Sequence, residues 1–283
     1  MANILIAGCG GIGSKLGIQL KQNGHQVFGI RRDISKLPSE IEPIEANLAT
    51  PIKNLPKKID YVFYTASADK YKDSAYYQAY VSGVKHLLKD LDQHQIKRFF
   101  FISSTSVFGQ NKGELVDENS ETSNANFSTK RLLEGEALAL NSKFDSTVVR
   151  FGGIYGPGRT HLIDLVRQGK AHCMDGIWSN RIHSDDCIGL LNHLFEMSLK
   201  NNGQVENLYI GVDSQPTPLC DVYDWLAEEL SVPDVEHIEP KETSRHMRSN
   251  KRISNTKILA TGYQFIYPDY QSGYREIINN LPE

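Results

Sequence analysis

The sequence contains few cysteines, only two tryptophans and no long hydrophobic run. Its four cysteines are scattered along 283 residues (Cys9, Cys173, Cys187 and Cys220), and no cluster of His, Cys, Asp or Glu has the spacing of metal ligands. We therefore expect reduced thiols in a cytoplasmic protein without a bound metal. No apolar stretch approaches the roughly 20 residues of a transmembrane helix, and the N-terminal apolar run is too short for a signal peptide.

Neither sign of charge is in large excess. The chain has 31 lysines and arginines against 34 aspartates and glutamates, which gives a net charge of −3. This balance gives no reason to expect nucleic acid or an anionic membrane as a partner. The length is sufficient for one large α/β domain, or for a core with a smaller appended lobe.

A glycine turn at the N-terminus is the most informative segment that is present. An apolar run, Asn3–Ala7, ends at three glycines with the spacing G-x-G-x-x-G: Gly8, Gly10 and Gly13. In such a turn, the first glycine allows a tight bend and the second lets phosphates approach the backbone. The third lets the following helix pack on the strand, with its N-terminus aimed at the phosphates. The turn predicts a dinucleotide cofactor, and the alternative is a turn required only for close packing.

Strand and helix signals alternate through the first half of the chain. The predicted strands are Asn3–Ala7, Gln26–Ile30, Ile44–Ala46, Asp60–Ala66, Phe99–Ser103 and Ser146–Phe151. The predicted helices are Ile12–Gln22, Ser74–Gln93 and Phe127–Leu140. This alternation predicts an α/β fold of Rossmann type, with a doubly wound parallel sheet.

Beyond residue 155 the pattern loosens. Helices are predicted at His161–Gln168, Asp185–Leu199, Leu219–Leu230 and Gln271–Asn279, with short strand-like pieces between them. We predict an NAD(P)-binding domain over residues 1–155. Residues 156–283 would form a small substrate-binding lobe, interleaved with the last strands of the sheet.

The residues after the second predicted strand indicate which dinucleotide binds. NAD-specific folds usually place an acidic residue there, which accepts hydrogen bonds from the ribose hydroxyls. Here the strand runs into Arg31 and Arg32, and Asp33 comes slightly late for that role. Two guanidinium groups can hold a 2′-phosphate through charge-assisted hydrogen bonds. We therefore predict NADP(H) in preference to NAD(H), and the alternative is that both arginines are solvated loop residues.

Four ordered motifs resemble the extended short-chain dehydrogenase/reductase superfamily, and within it the NAD-dependent epimerase/dehydratase family. Besides the glycine turn, Phe101–Gly109 resembles the family's strand-five signature, which carries a catalytic hydroxyl. Arg150–Arg159 resembles its R-P-x-x-x-Y-G-P-G segment, and Asn180–Asp186 resembles its I-H-x-x-D segment. The G-x-G-x-x-G spacing is similar to that of an atypical subgroup of nucleoside-diphosphate-sugar epimerases and reductases.

The resemblance implies which residues carry the chemistry. Family members use Tyr-x-x-x-Lys and an upstream Ser or Thr. The tyrosine exchanges a proton with the substrate, the lysine lowers the tyrosine pKa and holds the nicotinamide ribose, and the hydroxyl orients the substrate oxygen. Lys130 stands at the lysine position, and Ser104 stands at the hydroxyl position with Thr105 beside it. Asn126 stands where the tyrosine would be, and its side chain has no acid-base function near neutral pH.

Asn126 leaves three interpretations. The protein is an epimerase or reductase with another proton donor, for which Tyr155, His183 and a bound water are candidates. Alternatively, it binds NADP(H) without turnover, as a regulatory or redox-sensing protein. The third interpretation is a shifted alignment, against which we note that no tyrosine lies between Tyr80 and Tyr155.

The residues and the resemblance together indicate the cofactor contacts. These are Gly8, Gly10, Gly11, Ile12 and Gly13 in the turn, Arg31 and Arg32 after the second strand, Asn47 and Leu48 beside the adenine, Thr65, Ala66 and Ser67 after the fourth strand, and Ser103, Lys130, Phe151 and Gly153 closer to the nicotinamide. The resemblance also implies a nucleotide-sugar substrate. A homodimer through the helices Ser74–Gln93 and Phe127–Leu140 is a family-level expectation.

Overall fold

Seven strands form one parallel sheet. The computed structural model of the chain describes residues 1–238 and 249–281. Its sheet consists of β1 (Asn3–Ala7), β2 (Gln26–Arg31), β3 (Glu42–Glu45), β4 (Tyr61–Tyr64), β5 (Arg98–Ser104), β6 (Ser146–Phe151) and β7 (Leu208–Gly211). Their order in the sheet is β3-β2-β1-β4-β5-β6-β7, so the order reverses between β1 and β4. The prediction of a doubly wound parallel sheet is confirmed.

Most helices begin and end within one or two residues of their predicted bounds. They are α1 (Gly11–Gln22), α2 (Asp73–Tyr76), α3 (Gly83–Asp90), α4 (Phe127–Leu140), α5 (His161–Arg167), α6 (Ser184–Lys200), α7 (Leu219–Glu229), α8 (Thr256–Ala260) and α9 (Tyr270–Asn279). The helix expected over Ser74–Gln93 differs, because a π-helical turn, Tyr77–Ser82, separates α2 from α3. In the part of the chain that the structure describes, no helix combines the length and apolarity that crossing a membrane requires.

The chain divides into two compact units, each built from several segments. The first comprises Met1–Val107, Ser123–Arg150 and Leu190–Tyr209, and the second comprises Phe108–Thr122, Phe151–Gly189 and Ile210–Glu283. A single boundary after residue 155 is therefore too simple. Short strands pair within the second unit: Glu114–Val116 with Lys251–Ile253, Gly153–Tyr155 with Arg181–His183, His172–Cys173 with Glu236–His237, and Trp178–Ser179 with Thr217–Pro218.

Aromatic side chains fill the core of the first unit. Nearly every residue of β4 and β5 is buried, as expected for strands in a sheet that is covered on both faces. Phe63 and Phe100 stack with their ring centroids 4.6 Å apart, and Phe195 of α6 packs edge-on against Tyr61. Rings of this size contribute much of the apolar area that stabilises the sheet.

A buried ion pair links α4 to the sheet. Glu136 of α4 accepts a hydrogen bond from Ser103 Oγ at 2.6 Å. It also forms a bidentate pair with Arg150, with N–O distances of 2.6 and 3.0 Å. All three side chains are buried. Because a buried charge is tolerated only when it is paired and hydrogen-bonded, this network fixes α4 against β5 and β6.

The second unit has its own core, which contains a disulfide. Tyr155 stacks on Tyr274 with ring centroids 4.3 Å apart, and the disulfide between Cys173 and Cys220 lies in the same cluster. The expectation of four reduced thiols is therefore wrong for this pair, because the fold brings together two cysteines that are 47 residues apart. The other two cysteines are free and buried.

We expect Glu136→Gln to destabilise the first unit strongly, because it leaves Arg150 buried without its counter-charge. Breaking a buried ion pair in this way costs about 3–5 kcal/mol. The urea midpoint of unfolding, followed by circular dichroism, should fall accordingly. Glu134→Gln is the matched control on the same helix, since Glu134 pairs with Arg131 at a partly exposed position and should shift the midpoint much less. Equal shifts in the two variants would contradict the role of the buried pair.

Candidate functional site

The carboxyl ends of β1 and β4 meet where the strand order reverses. Thr65 N donates to Ala7 O at 2.9 Å, and Thr65 Oγ1 donates to Gly8 O at 2.9 Å. In open parallel sheets, ligands bind outside the carboxyl ends of the strands at such a switch point. The structure thus brings together two predicted cofactor segments, the glycine turn and Thr65–Ser67.

Two glycines of the turn are required by packing. Gly8 has a φ of 85°, and a Cβ at this position would collide with the backbone of Ala66. Gly13 lies so close to the sheet that a Cβ would be 2.7 Å from Thr65 Oγ1 and 2.9 Å from Ile6 Cγ2. These contacts account for the tight bend and for the close packing of helix on strand.

Packing does not account for the glycine at position 10, where a side chain would fit. Among the described residues, a Cβ on Gly10 would meet only Gly8 O, at 3.8 Å, and a Cβ on Gly11 would meet no atom within 4 Å. The space in front of Gly10 is therefore open to a group that approaches the backbone closely, as a pyrophosphate does. We call this space, bounded by Gly10 and the first residues of α1, the phosphate cradle.

The N-terminus of α1 supplies donors to the phosphate cradle. Ser14 N donates to Gly10 O at 2.8 Å and is the first donor of the helix, so the N–H groups of Gly11, Ile12 and Gly13 precede the helical ladder. The N-cap residue, Gly10, offers no side chain to satisfy them, and the first turn contains no acidic residue. The free donors and the helix dipole favour an anion. The residues present therefore fit the pyrophosphate of a dinucleotide.

The two arginines after β2 have different partners. Arg31 Nη1 donates to Cys9 O, inside the glycine turn, at 3.2 Å and to Lys36 O at 3.1 Å. Arg32 forms an exposed bidentate pair with Asp69, with N–O distances of 2.9 and 3.0 Å. Arg31 is thus the arginine beside the turn, whereas Arg32 is held by an acid that the sequence pattern did not reveal.

The carboxylate of Asp33 binds two residues of the turn that follows it, Ser35 and Lys36. Its Oδ1 accepts from Ser35 N and Ser35 Oγ at 3.2 and 2.6 Å, and its Oδ2 lies 3.1 Å from Lys36 Nζ. The hydrogen bonds from Ser35 and Lys36 lower the pKa of this carboxyl. Asp33 therefore caps the short 3-10 turn Ile34–Lys36, which agrees with its late position for a ribose acceptor.

The predicted adenine contacts Asn47 and Leu48 follow β3, and the predicted cofactor contact Ser67 follows β4. Asn47 is exposed and its Oδ1 accepts from Ala49 N at 3.0 Å, which makes a local turn. Leu48 is half-buried against the core of the first unit, and Ser67 is exposed. Since loops that follow parallel strands lie at the carboxyl edge, these predicted contacts share that edge with the glycine turn.

Two neighbouring serines at the end of β5 have different roles. Ser103 is buried and its hydroxyl donates to Glu136, which gives this side chain a structural function, while its cofactor contact stays a prediction. Ser104 is half-buried, and its Oγ accepts from Ser106 N at 3.1 Å. A hydroxyl that accepts in this way keeps its own proton for donation to a substrate oxygen. Thr105 is buried at the start of a 3-10 turn, so Ser104 fits the predicted role better.

The first turn of α4 shows what Asn126 does. Asn126 is the N-cap residue, and its Oδ1 accepts from Thr129 N at 3.0 Å and from Ser128 Oγ at 2.6 Å. Asparagine is among the strongest N-cap residues, whereas tyrosine has no suitably placed acceptor. Lys130 follows one turn later and is exposed. The position therefore serves helix capping in place of proton transfer.

The remaining predicted residues belong to the second unit, where Phe151 is buried and Gly153 is exposed. The hydroxyl of Tyr155 lies 3.5 Å from Asp269 O, and burial raises its pKa. His183 is fully buried, with its ring centroid 5.3 Å from that of Tyr155. Tyr155 therefore packs in the core of the second unit, and its catalytic role stays a prediction.

Comparison with known families and proteins agrees with these features. The sequence profile of the NAD dependent epimerase/dehydratase family matches residues 4–183, which is more than half of the chain. This range contains the glycine turn, Ser104 and Lys130. Among curated proteins, the chain is 24% identical to protein YeeZ of Escherichia coli (strain K12) over 282 residues, which cover 95% of this chain and 97% of YeeZ.

Solved structures with the same fold include three of note. A protein from Methylobacillus flagellatus, provisionally named an NAD-dependent epimerase/dehydratase, is 32% identical with a TM-score of 0.79 and 98% of each chain covered. The human epimerase family protein SDR39U1, solved with NADPH, is 20% identical with a TM-score of 0.78, covering 99% of this chain and 100% of that one. UDP-glucuronic acid 4-epimerase from Bacillus cereus, solved with NAD, is 19% identical with a TM-score of 0.74 and 94% of each chain covered.

We expect Gly10→Ala to weaken NADPH binding by at least about tenfold, a loss of about 1.4 kcal/mol, because the added methyl group occupies the phosphate cradle. The melting temperature of the free protein should change little, since the methyl group meets no described atom closer than 3.8 Å. Affinity can be measured by isothermal titration. Gly203→Ala is the control, because its Cβ also has no described neighbour closer than 3.6 Å and the residue lies outside the turn. Unchanged affinity in Gly10→Ala would show that the cradle is wrongly assigned.

Proposed function

The chain belongs to the NAD dependent epimerase/dehydratase family, and from that premise we propose that it is an NADP-dependent epimerase or reductase that acts on a nucleotide sugar. The observation that carries this proposal is the phosphate cradle, where Gly10 leaves room that protein packing does not require. Two structural neighbours support the ligand classes. One was solved with NADPH, and another is named as an epimerase of a UDP-sugar.

The proposed preference for NADP(H) rests on the charges after β2. Arg31 already bonds to the backbone of the glycine turn, so its guanidinium lies beside the phosphate cradle. The carboxylate of Asp33 is engaged by Ser35 and Lys36. A 2′-phosphate at this place would gain charge-assisted hydrogen bonds from Arg31, which is the usual device for distinguishing the two dinucleotides. Arg32 can add to this site when it exchanges Asp69 for the phosphate.

The proposed chemistry uses residues at the end of β5 and in the first turn of α4. A bound nicotinamide would supply or accept a hydride. Ser104 Oγ would hold and polarise the substrate oxygen, and Lys130 would hold the nicotinamide ribose. Because Asn126 cannot exchange a proton, a bound water would have to supply it. A water is a weaker proton donor than an activated tyrosine, but it is sufficient for reduction of a polarised carbonyl. We therefore expect slow turnover.

A non-catalytic role is the second candidate, and Asn126 is the observation that favours it. Both hydrogen bonds to its Oδ1 stabilise the start of α4. The residue that would carry proton transfer in the family thus serves the fold alone. In this alternative, the protein binds NADP(H) and acts as a regulatory or redox-sensing protein.

The proposed assembly is a homodimer that works in the cytoplasm. The expected dimer face consists of α4 and the helical segment Asp73–Asp90. What supports it is a pair of exposed aromatic side chains, Tyr71 and Tyr77, of which Tyr71 contacts Phe127 at the start of α4. Contiguous apolar patches on a surface, unlike single exposed side chains, mark contact with another protein.

We expect Arg31→Ala to weaken NADPH binding by about 10- to 100-fold, the equivalent of the roughly 1.5–3 kcal/mol that a charged hydrogen bond contributes. NADH binding should change little, because NADH has no 2′-phosphate. Parallel titrations with the two cofactors measure this difference. Arg167→Ala, which removes an exposed arginine from α5, is the control. Tighter binding of NADH than NADPH by the unmodified protein would refute the preference for NADP(H).

We expect the protein to oxidise NADPH slowly in the presence of an aldehyde, ketone or nucleotide sugar. Ser104→Ala should lower that rate by about 100-fold or more, as expected when one donor to the reacting oxygen is removed. Ser106→Ala keeps the backbone N–H that bonds to Ser104 and is the control. The rate is read from NADPH absorbance.

Asn126→Tyr separates the two candidate functions. It restores a tyrosine four residues before Lys130, so it should raise the rate of an enzyme, while loss of the N-cap lowers stability by about 1 kcal/mol. A rate that increases in this variant supports the enzyme. Tight NADPH binding without turnover in both proteins, against the full panel of carbonyl compounds and nucleotide sugars, supports the regulatory protein.

A further inference from the structure

Two cysteines and a histidine meet in the second unit, and the proposed function uses none of them. Cys173 ends the strand His172–Cys173, and it pairs in register with His237 of the parallel strand Glu236–His237. Cys220 is the second residue of α7. One ligand atom from each of these three side chains lies within 4.8 Å of the other two.

The chemistry of this set is that of a zinc site. Two thiolates and an imidazole are soft and borderline donors, and they are typical of structural zinc centres with four ligands. The sequence analysis expected no metal, and it did not reveal this set of possible ligands. The three residues come from separate segments, so their proximity has no counterpart in local spacing.

Two carboxylates hold the imidazole of His237. Asp224 lies one helical turn after Cys220 on α7, and its two oxygens are 3.2 and 3.3 Å from His237 Nε2. Asp175 Oδ1 is 3.1 Å from His237 Nδ1. A carboxylate on the second ring nitrogen is the usual companion of a metal-binding histidine. One carboxylate can therefore complete the tetrahedron while the other orients the ring.

The cluster is buried on one side and exposed on the other, so a metal ion can enter it from solvent. Cys173 and Cys220 are buried in the core of the second unit. His237 and both aspartates are exposed, which leaves an open side to the cluster. A disulfide alone would need neither the imidazole nor the two carboxylates that hold it.

We propose that this cluster is a redox-controlled zinc site, in which Cys173, Cys220, His237 and one of the two carboxylates bind the ion. The disulfide is the oxidised form of the same site and cannot supply two thiolates. A phosphine reductant with one water converts the disulfide into two thiols and becomes the phosphine oxide. Zinc then displaces the two thiol protons, and two sulfur–zinc bonds form. The bound ion would tie α7 to the two short strands.

Cobalt titration of the intact chain tests this proposal. The protein is reduced with a phosphine, freed of reductant without air, and titrated with Co²⁺. We expect one ion per chain, with the thiolate-to-cobalt charge-transfer band and the strong visible absorption of tetrahedral cobalt, and displacement of both by Zn²⁺. The oxidised protein should show neither band. Absence of the charge-transfer band in the reduced protein overturns the proposal.

Variants at exposed positions distinguish this site from adventitious binding. His237→Ala should abolish tetrahedral cobalt absorption. Asp224→Asn or Asp175→Asn should each weaken cobalt binding by about 10- to 100-fold. His172→Ala is the matched control, because His172 is an exposed histidine next to Cys173 and pairs with Glu236. Cobalt binding that is unchanged in His237→Ala, or lost equally in His172→Ala, also overturns the proposal.

Discussion

The nucleotide site depends on the hydrogen bonds that Thr65 donates to Ala7 O and Gly8 O, which join β4 to the carboxyl end of β1. They draw β4 so close to β1 that Ala66 leaves no room for a side chain on Gly8. The chain must then turn with a positive φ, and α1 begins within three residues. Gly13 packs on the same threonine, which fixes the direction of α1. The open space at Gly10 points to a ligand because packing explains the other two glycines of the motif, Gly8 and Gly13, but not this one.

Sequence patterns predicted those helices and strands whose bounds are set by residues close in sequence. The bounds of α4 and β6 match residue for residue, because Asn126 caps the helix and the strand that follows is buried along its whole length. The π-helical turn Tyr77–Ser82 was not predicted, since its periodicity differs little from that of a regular helix over six residues. Two units were expected, but the membership of residues 108–122 and 190–209 was not predicted, because it depends on contacts that are distant in sequence.

The sequence does not determine which partner each predicted site residue finds. Ser103 and Ser104 are adjacent, and the alternation of side chains along a strand sends one to a buried glutamate and leaves the other half-buried. Arg31 and Arg32 differ in the same way, because Asp69 comes from a distant loop. A motif states which residues lie near the sheet edge. It does not state the partner that each side chain finds, and that partner decides its function.

Cofactor binding and catalysis rest on different kinds of residue in this fold. The phosphate cradle is built from backbone atoms, and its shape is enforced by packing at Gly8 and Gly13, so many substitutions elsewhere leave it intact. Proton transfer depends on one side chain, and Asn126 shows that this position can be given to helix capping without disturbing α4. The strong family resemblance of the turn is therefore independent of whether the chain turns over a substrate. Catalysis must be judged from Ser104, Lys130 and the group that faces them.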